Sequence, residues 1–284
     1  STKAYAKAPL YMGRWTNPGN LASQYGTQNL RGTDPKSKQA VAEFLGQYYS
    51  PDDLNLFFDI HGLPRRNITL NGKNIPTQPG GEASLDIEYI MALGRDIPTQ
   101  FWTTVGGTNF TEPYMPWLLR ISNTQDVDLP LVHSISYDDP EDSWTFRDAD
   151  RVNVEFQKAG VRGVTLIFSS GDEGVGNVPF RCSPFQPAFP SSSPYVTSVG
   201  ATQTSTFTRK QCFESGFNGL RYDCDVIGEV ACSSDTGGVI SSGGGFSNFF
   251  ARPKYQDKVV NKYLDLKNTK GIIDSFPPSS YFNA

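Results

Sequence analysis

The run Gly163-Val164-Thr165-Leu166-Ile167-Phe168-Ser169 is continuously apolar or β-branched, and it breaks into Ser170-Gly171-Asp172-Glu173-Gly174-Val175-Gly176. A run without polar alternation reads as a strand buried on both faces. Strands covered on both faces belong to parallel sheets with helices on either side, so this segment points to an α/β chain. The glycines after it let the backbone turn sharply and approach a ligand closely. In open parallel sheets, sites gather at the carboxyl ends of strands. Asp172 stands at such an end.

The remaining pattern alternates helix and strand. Residues 38–49 have helical spacing, with Val41, Phe44, Leu45 and Tyr48 on one side. Ser50-Pro51-Asp52-Asp53 reads as a helix start, with Leu54, Phe57 and Phe58 behind it. Residues 82–93, 114–123 and 146–159 read as helices. Residues 100–105, 131–137 and 195–201 read as strands. Asn71-Gly72 reads as a turn inside a loop. Residues 203–240 read as an irregular insertion with room for a hairpin. Residues 1–20 read as an extended arm, and residues 21–284 as the body of the chain.

Gly81-Glu82-Ala83-Ser84-Leu85-Asp86 places two carboxylates four residues apart on an otherwise apolar helix. That spacing puts Glu82 and Asp86 on one face. Like charges so placed destabilise a helix by a few tenths of a kcal/mol, and their desolvation costs more. On its own the pair also fits a surface helix with ordinary acids, Glu82 being favourable near the helix start. Two nearby carboxyls in a partly apolar site titrate as a coupled pair, which suits chemistry at acidic pH.

The formal net charge is −4, with no basic block, which argues against nucleic acid as a partner. No apolar run approaches the ~20 residues of a membrane-spanning helix. No leader pattern opens the chain at Ser1, so it reads as a mature product. Cys182, Cys212, Cys224 and Cys232 lie in one stretch without a CxxC pair, far in sequence from His61 and His133. Two disulfides of undetermined pairing are expected, and no metal site. Asn67-Ile68-Thr69 and Asn109-Phe110-Thr111 are glycosylation sequons. Together these features point to an oxidising, secretory-route compartment.

Five ordered segments carry a family resemblance: Gly81 to Asp86, Ser134-Ile135-Ser136-Tyr137, Ser169 to Gly174, Phe189-Pro190-Ser191-Ser192-Ser193-Pro194-Tyr195-Val196, and Ser242-Gly243-Gly244-Gly245-Phe246-Ser247. In order and spacing the chain resembles the sedolisins, the serine-carboxyl peptidases, from about Gly19 to Ala284. The resemblance implies a subtilisin-like fold, here incomplete toward the C-terminus. It implies peptide hydrolysis at acidic pH, with release of tripeptides from free N-termini among the expected activities. Carried over by motif, Glu82 is the general base, Asp86 orients it, and Asp172 is the protonated oxyanion-hole residue. Ser136, Tyr137 and Asp138 fall where the family's edge strand meets substrate, although many members have glycine where this chain has Asp138. Ser242, Gly243 and Gly244 fall in the family's glycine segment near the substrate cleft. Neither Ser170 nor Ser242 matches the nucleophile motif, and His61 and His133 are not expected to act as bases.

The family's Gly-Thr-Ser-Ala-Ser motif does not occur in the sequence. Nor does the segment that supplies the family's calcium loop. The chain alone is therefore expected to lack peptidase activity and to carry no cofactor, calcium belonging to the complete family fold. Expected partners are a peptide substrate and either a C-terminal companion fragment or further copies of the chain. The expected location is lysosomal or secreted. The alternative from another class is a non-catalytic, glycosylated scaffold or assembly protein.

Overall fold

The computed structural model describes residues 16–34, 36–106, 113–176, 185–206, 227–234 and 237–265. The chain divides into two compact units, one of residues 1–136 and 155–167, the other of residues 137–154 and 168–284. The α/β architecture expected from the sequence is present, with a six-stranded sheet at its centre.

In the first unit, helix α1 (Pro18–Gln24) precedes strand β1 (Gln39–Glu43). Helix α2 (Pro51–Ile60), strand β2 (Ile68–Asn71) and helix α3 (Gly81–Leu93) follow. Strand β3 (Thr99–Thr103), helix α4 (Tyr114–Asn123) and strand β4 (Val132–Ile135) complete its main elements. β1 is the middle strand. It pairs in parallel with β3 through Val41↔Phe101 and with β4 through Val41↔Ser134. β2 adds in parallel to the far side of β3 through Leu70↔Phe101.

Residues 38–49 are therefore not a helix. All five residues of β1 are buried, so the strand shows no period-2 alternation to reveal it. Leu45, placed on the apolar side of the expected helix, is exposed at φ 54°, and Gly46 follows at φ 73°. Two successive left-handed residues end any helical course there. Helix α1 also replaces the end of the expected extended arm, whose residues 1–15 lie outside the described residues. Its cap was legible: the Asn17 side chain accepts from Asn20 N at 2.9 Å and Pro18 takes the first helical position.

Helix α2 starts as expected, with Ser50 Oγ accepting from Asp53 N at 3.2 Å. Helix α3 starts after Gly80 without a side-chain cap. A Cβ at Gly80 would stand 1.7 Å from Gln47 Oε1, so a larger residue there would displace the Gln47 side chain. Ala83, Ile87, Met91 and Ala92 form the buried face of α3 and join Val41, Leu54, Phe58 and Phe101 in one apolar cluster. Arg120 on α4 closes the strand ends. It donates to Thr103 O at 2.5 Å, to Asn71 O at 2.5 Å and to the Asn71 side chain, with its guanidinium over the Trp102 ring. His133 lies fully buried, edge-on to Trp102 and Trp117. Burial pushes its pKa down to about 3 against a smaller opposing pull from the Pro130 backbone, so it is a neutral core residue.

Helix α5 (Phe146–Val161) and strand β6 (Thr165–Ser169) each cross from one unit's residues to the other's. Thr165 N donates to Leu131 O at 2.7 Å, within the first unit. β6 alternates buried Leu166 and Phe168 with less covered neighbours, so it is not closed on both faces as its sequence implied. The second unit adds strands β5 (Asp139–Pro140) and β7 (Ala188–Phe189), which pair antiparallel. Strand β8 (Thr197–Val199) follows, then β9 (Thr202–Thr206) and β10 (Ile227–Ala231), and helix α6 (Asp257–Asp265). β9 and β10 form the antiparallel pair for which the insertion had room, in register Thr202↔Ala231. The six-stranded sheet runs β2-β3-β1-β4-β6-β8.

Replacing Ile87, fully buried on the inner face of α3, by alanine should destabilise the protein by roughly 2–5 kcal/mol through lost transfer energy and a cavity. Leu85→Ala, at a half-exposed position two residues away, should change stability by no more than about 0.5 kcal/mol. Urea unfolding of the two variants checks the direction in which α3 faces.

Candidate active site

In the first unit, α3 carries Glu82 in its first turn and Asp86 one turn later. Asp86 Oδ1 accepts from Ser136 Oγ at 3.0 Å, and Asp86 Oδ2 is shut off from water. The third carboxyl of this group, Glu43, is the last residue of β1 and is fully buried. Glu43 lies beside Asp86 and acts to lower its pKa, against the larger effect of burial.

The pKa of Asp86 is raised to about 7. Burial is the main cause, and the negative charge of Glu82 adds to it. The hydrogen bond from Ser136 and the neighbouring Glu43 oppose the shift without cancelling it. Glu88, on the same helix, is also raised to about 7, by burial first and then by the charge of Asp53 on α2.

Glu43 was missed in the sequence because its segment read as a helix. Its signal was a single carboxylate closing the apolar run Ala40-Val41-Ala42, which is what a buried strand end would show. Ser136 was expected to meet substrate; its hydroxyl is engaged by Asp86.

The second unit holds the Asp172 turn. Ser170 N donates to Val199 O at 3.0 Å, which ties the end of β6 to β8. Gly171 at φ 96° and Gly174 at φ 69° then bend the chain. The glycine segment lies along this turn. Gly243 N donates to Gly171 O at 2.8 Å, Ser241 N to Asp172 O at 2.8 Å, and Gly174 N to Ser241 O at 2.9 Å. A Cβ on Gly243 would stand 1.7 Å from Ser170 O, so the close approach demands glycine. Ser242 Oγ accepts from Ala201 N at 3.0 Å. The Asp172 side chain is exposed, and its own backbone N donates to Glu173 Oε2 at 3.2 Å. Half-buried Asp138 brings its carboxylate to 3.4 Å from where a Gly171 Cβ would lie, and Tyr137 beside it is buried.

Glu141 fastens the far end of the glycine segment. It is fully buried and accepts from Ser192 Oγ at 2.8 Å, Ser247 Oγ at 2.5 Å and Asn248 N at 2.5 Å. Its backbone N donates to Pro187 O at 2.9 Å. Nothing in the sequence distinguishes Glu141 from its acidic neighbours; only the fold shows it.

Asn67 is exposed, while Asn109 lies outside the described residues. Cys182, Cys212 and Cys224 also lie outside them. Cys232 stands as a free thiol among the described residues, and its Sγ donates to Ile240 O at 3.2 Å. Among the described residues, no three or more His, Cys, Asp and Glu side chains gather as metal ligands. No described helix is long and apolar enough to cross a membrane.

No family model matches the chain. Its sequence is 40% identical over 286 residues to tripeptidyl-peptidase 1 of Mus musculus and 37% identical over 283 residues to that of Bos taurus. The Homo sapiens relative is 36% identical over 283 residues. Each match takes in 97% of this chain and 44% of the relative, so the chain spans less than half the length of these relatives. In structure it is similar to Pseudomonas sedolisin, a serine-carboxyl proteinase solved with two molecules of pseudo-iodotyrostatin. The TM-score is 0.59 at 20% identity, over 86% of this chain and 66% of that one. The sequence likeness is thus to tripeptidyl-peptidases, and the fold is the subtilisin-like α/β arrangement of the sedolisins.

The raised pKa values of Asp86 and Glu88 set a pH dependence of stability. Each group binds its proton more tightly folded than unfolded. Its stabilising contribution is complete below its ordinary range near 4 and is lost as pH rises to about 7. The thermal midpoint should therefore fall between pH 4.5 and 7.5. Asp86→Asn and Glu88→Gln, which stay neutral, should each flatten that fall. Calorimetry across this range checks the sign; a midpoint that rises with pH would refute it.

Proposed function

We propose that this chain is the base- and oxyanion-bearing portion of an acid-acting serine-carboxyl peptidase of the tripeptidyl-peptidase type. The observation that carries the reading is Asp86, a buried carboxyl one helical turn after Glu82 that keeps its proton up to about pH 7. The sequence similarity to tripeptidyl-peptidase 1 over 97% of the chain supports it. The attacking serine is supplied by sequence outside this chain, whether continuous with it or a companion fragment. Copies of the chain joined to one another are the other expected form.

In this reading Glu82, ionised, takes the serine hydroxyl proton as the serine oxygen bonds to the peptide carbonyl carbon. Asp86, neutral in acid, steers Glu82 by a hydrogen bond without setting a second negative charge beside it. Asp172, in the oxyanion-hole position that the family motif implies, donates a hydrogen bond to the oxyanion of the tetrahedral intermediate. Glu82 then passes its proton to the departing amine nitrogen as the C–N bond breaks. Water, deprotonated by Glu82, then bonds to the acyl carbon, the bond from that carbon to the serine oxygen breaks, and Glu82 returns the proton to the serine oxygen. Tyr137, Asp138 and the Ser242–Gly244 segment line the path of the peptide, and Asp138 sets its charge preference. An acidic lysosomal or secreted setting fits the proton on Asp86 and the two sequons.

In the full-length enzyme, Glu82→Gln should lower kcat by roughly 10²–10⁴-fold at pH 5, and Asp172→Ala by roughly 10²–10³-fold. Activity should decline as pH rises through about 7, where Asp86 loses its proton. Steady-state cleavage of an unblocked tetrapeptide substrate between pH 3 and 8 measures all three. Wild-type rates in the Glu82→Gln enzyme would sink the assignment.

A further inference from the structure

β2 forms one end of the six-stranded sheet and, among the described residues, pairs only with β3. Its outer side therefore offers backbone donors and acceptors to any strand that approaches, the arrangement through which folded chains pair edge to edge. Proteins guard such edges with lysine, proline, a bulge or a covering element. The sequence of β2, Ile68-Thr69-Leu70-Asn71, contains no charge and no proline, and its register with β3 runs without a bulge from Ile68↔Thr99 to Asn71↔Trp102. Leu70 is 49% exposed.

The strand is also held firmly in place. Arg66, immediately before Asn67, donates to Met91 O and to Gly94 O at the end of α3. Arg120 grips Asn71 at the other end. The edge is a fixed, uncharged, β-branched template, and Asn67-Ile68-Thr69 sits across its start. Asn67 and Thr69 are both exposed, as a glycosylation acceptor and its hydroxyl residue must be.

We propose that Asn67 carries an N-linked glycan and that this glycan, in place of a charged residue, keeps the β2 edge from pairing with a second copy of the chain. A bulky, hydrated group on the residue immediately before a four-residue strand stands at the entry to its edge. The inference does not depend on the peptidase reading. It requires only that the chain pass through a glycosylating compartment.

The experiment produces the chain in secreting eukaryotic cells as wild type, Asn67→Gln, Thr69→Ala and the double variant Asn67→Gln/Leu70→Lys. Peptide mapping after release of N-glycans in heavy-oxygen water should mark Asn67 in wild type and leave it unmarked in Thr69→Ala. Light scattering at matched concentration should give a several-fold higher average mass for Asn67→Gln and Thr69→Ala than for wild type. Leu70→Lys, which places a charge on the edge, should return the Asn67→Gln chain to the wild-type mass. Recovery of Asn67 unmodified overturns the proposal. So does unchanged association in both sequon variants, or association of Asn67→Gln that Leu70→Lys leaves unaltered.

Discussion

A carboxyl group that cannot ionise cheaply governs the first unit. Asp86 projects from α3 toward the end of a strand whose residues are all buried, and it meets Glu43 there rather than water. The depth of Asp86 is not adjustable. It follows from the seating of Ala83, Ile87 and Met91 on Val41 and Phe101, and from the glycine at position 80 that lets the helix start against Gln47. Moving the carboxyl outward would unseat apolar contacts worth several kcal/mol. Leaving it charged would desolvate an ion beside Glu82 and Glu43. Holding the proton avoids both costs, and packing thereby sets a protonation state.

The second unit fixes its part by different means. The Asp172 turn is held mainly by backbone bonds to residues Ser241 to Gly244, made possible by glycines that let the two strands of chain touch. Backbone ladders of this kind tolerate changes of side chain but not the addition of a Cβ at Gly243. Glu141 adds the complementary device, a buried carboxylate whose oxygens are satisfied by two hydroxyls and one backbone N–H. Removing the carboxylate would leave those donors without their acceptor in the interior.

What was legible in the sequence follows the strength of its local signals. Ser50-Pro51 gave the start of α2, and the apolar stretch after Gly81 gave α3, because caps and periodicity are written within one or two turns. β1 was misread since a strand covered on both faces loses its alternation, and Val41, Phe44 and Tyr48 mimic helical spacing by chance. β2 was missed because four residues next to Asn71-Gly72 look like part of a loop. Glu82 and Asp86 were found through their spacing and the family motif. Glu43 and Glu141 became visible only when distant segments met, since a buried carboxylate and an exposed one are written with the same letter.

Chemistry and stability share one helix. α3 carries Glu82 and Asp86 on the side that the proposed mechanism uses, and Glu88 where it faces the charge of Asp53 on α2. Both Asp86 and Glu88 are driven toward their neutral forms by burial, and for both the raised value is about 7. Acid that neutralises Asp86 also relieves the Asp53–Glu88 repulsion between α2 and α3. Near neutral pH the two changes reverse together. On the proposed function, the pH range that would remove the orienting proton from Asp86 is also the range in which α2 and α3 repel each other. That coupling follows from placing ionisable groups of one sign on both sides of a helix whose apolar face is locked into the core.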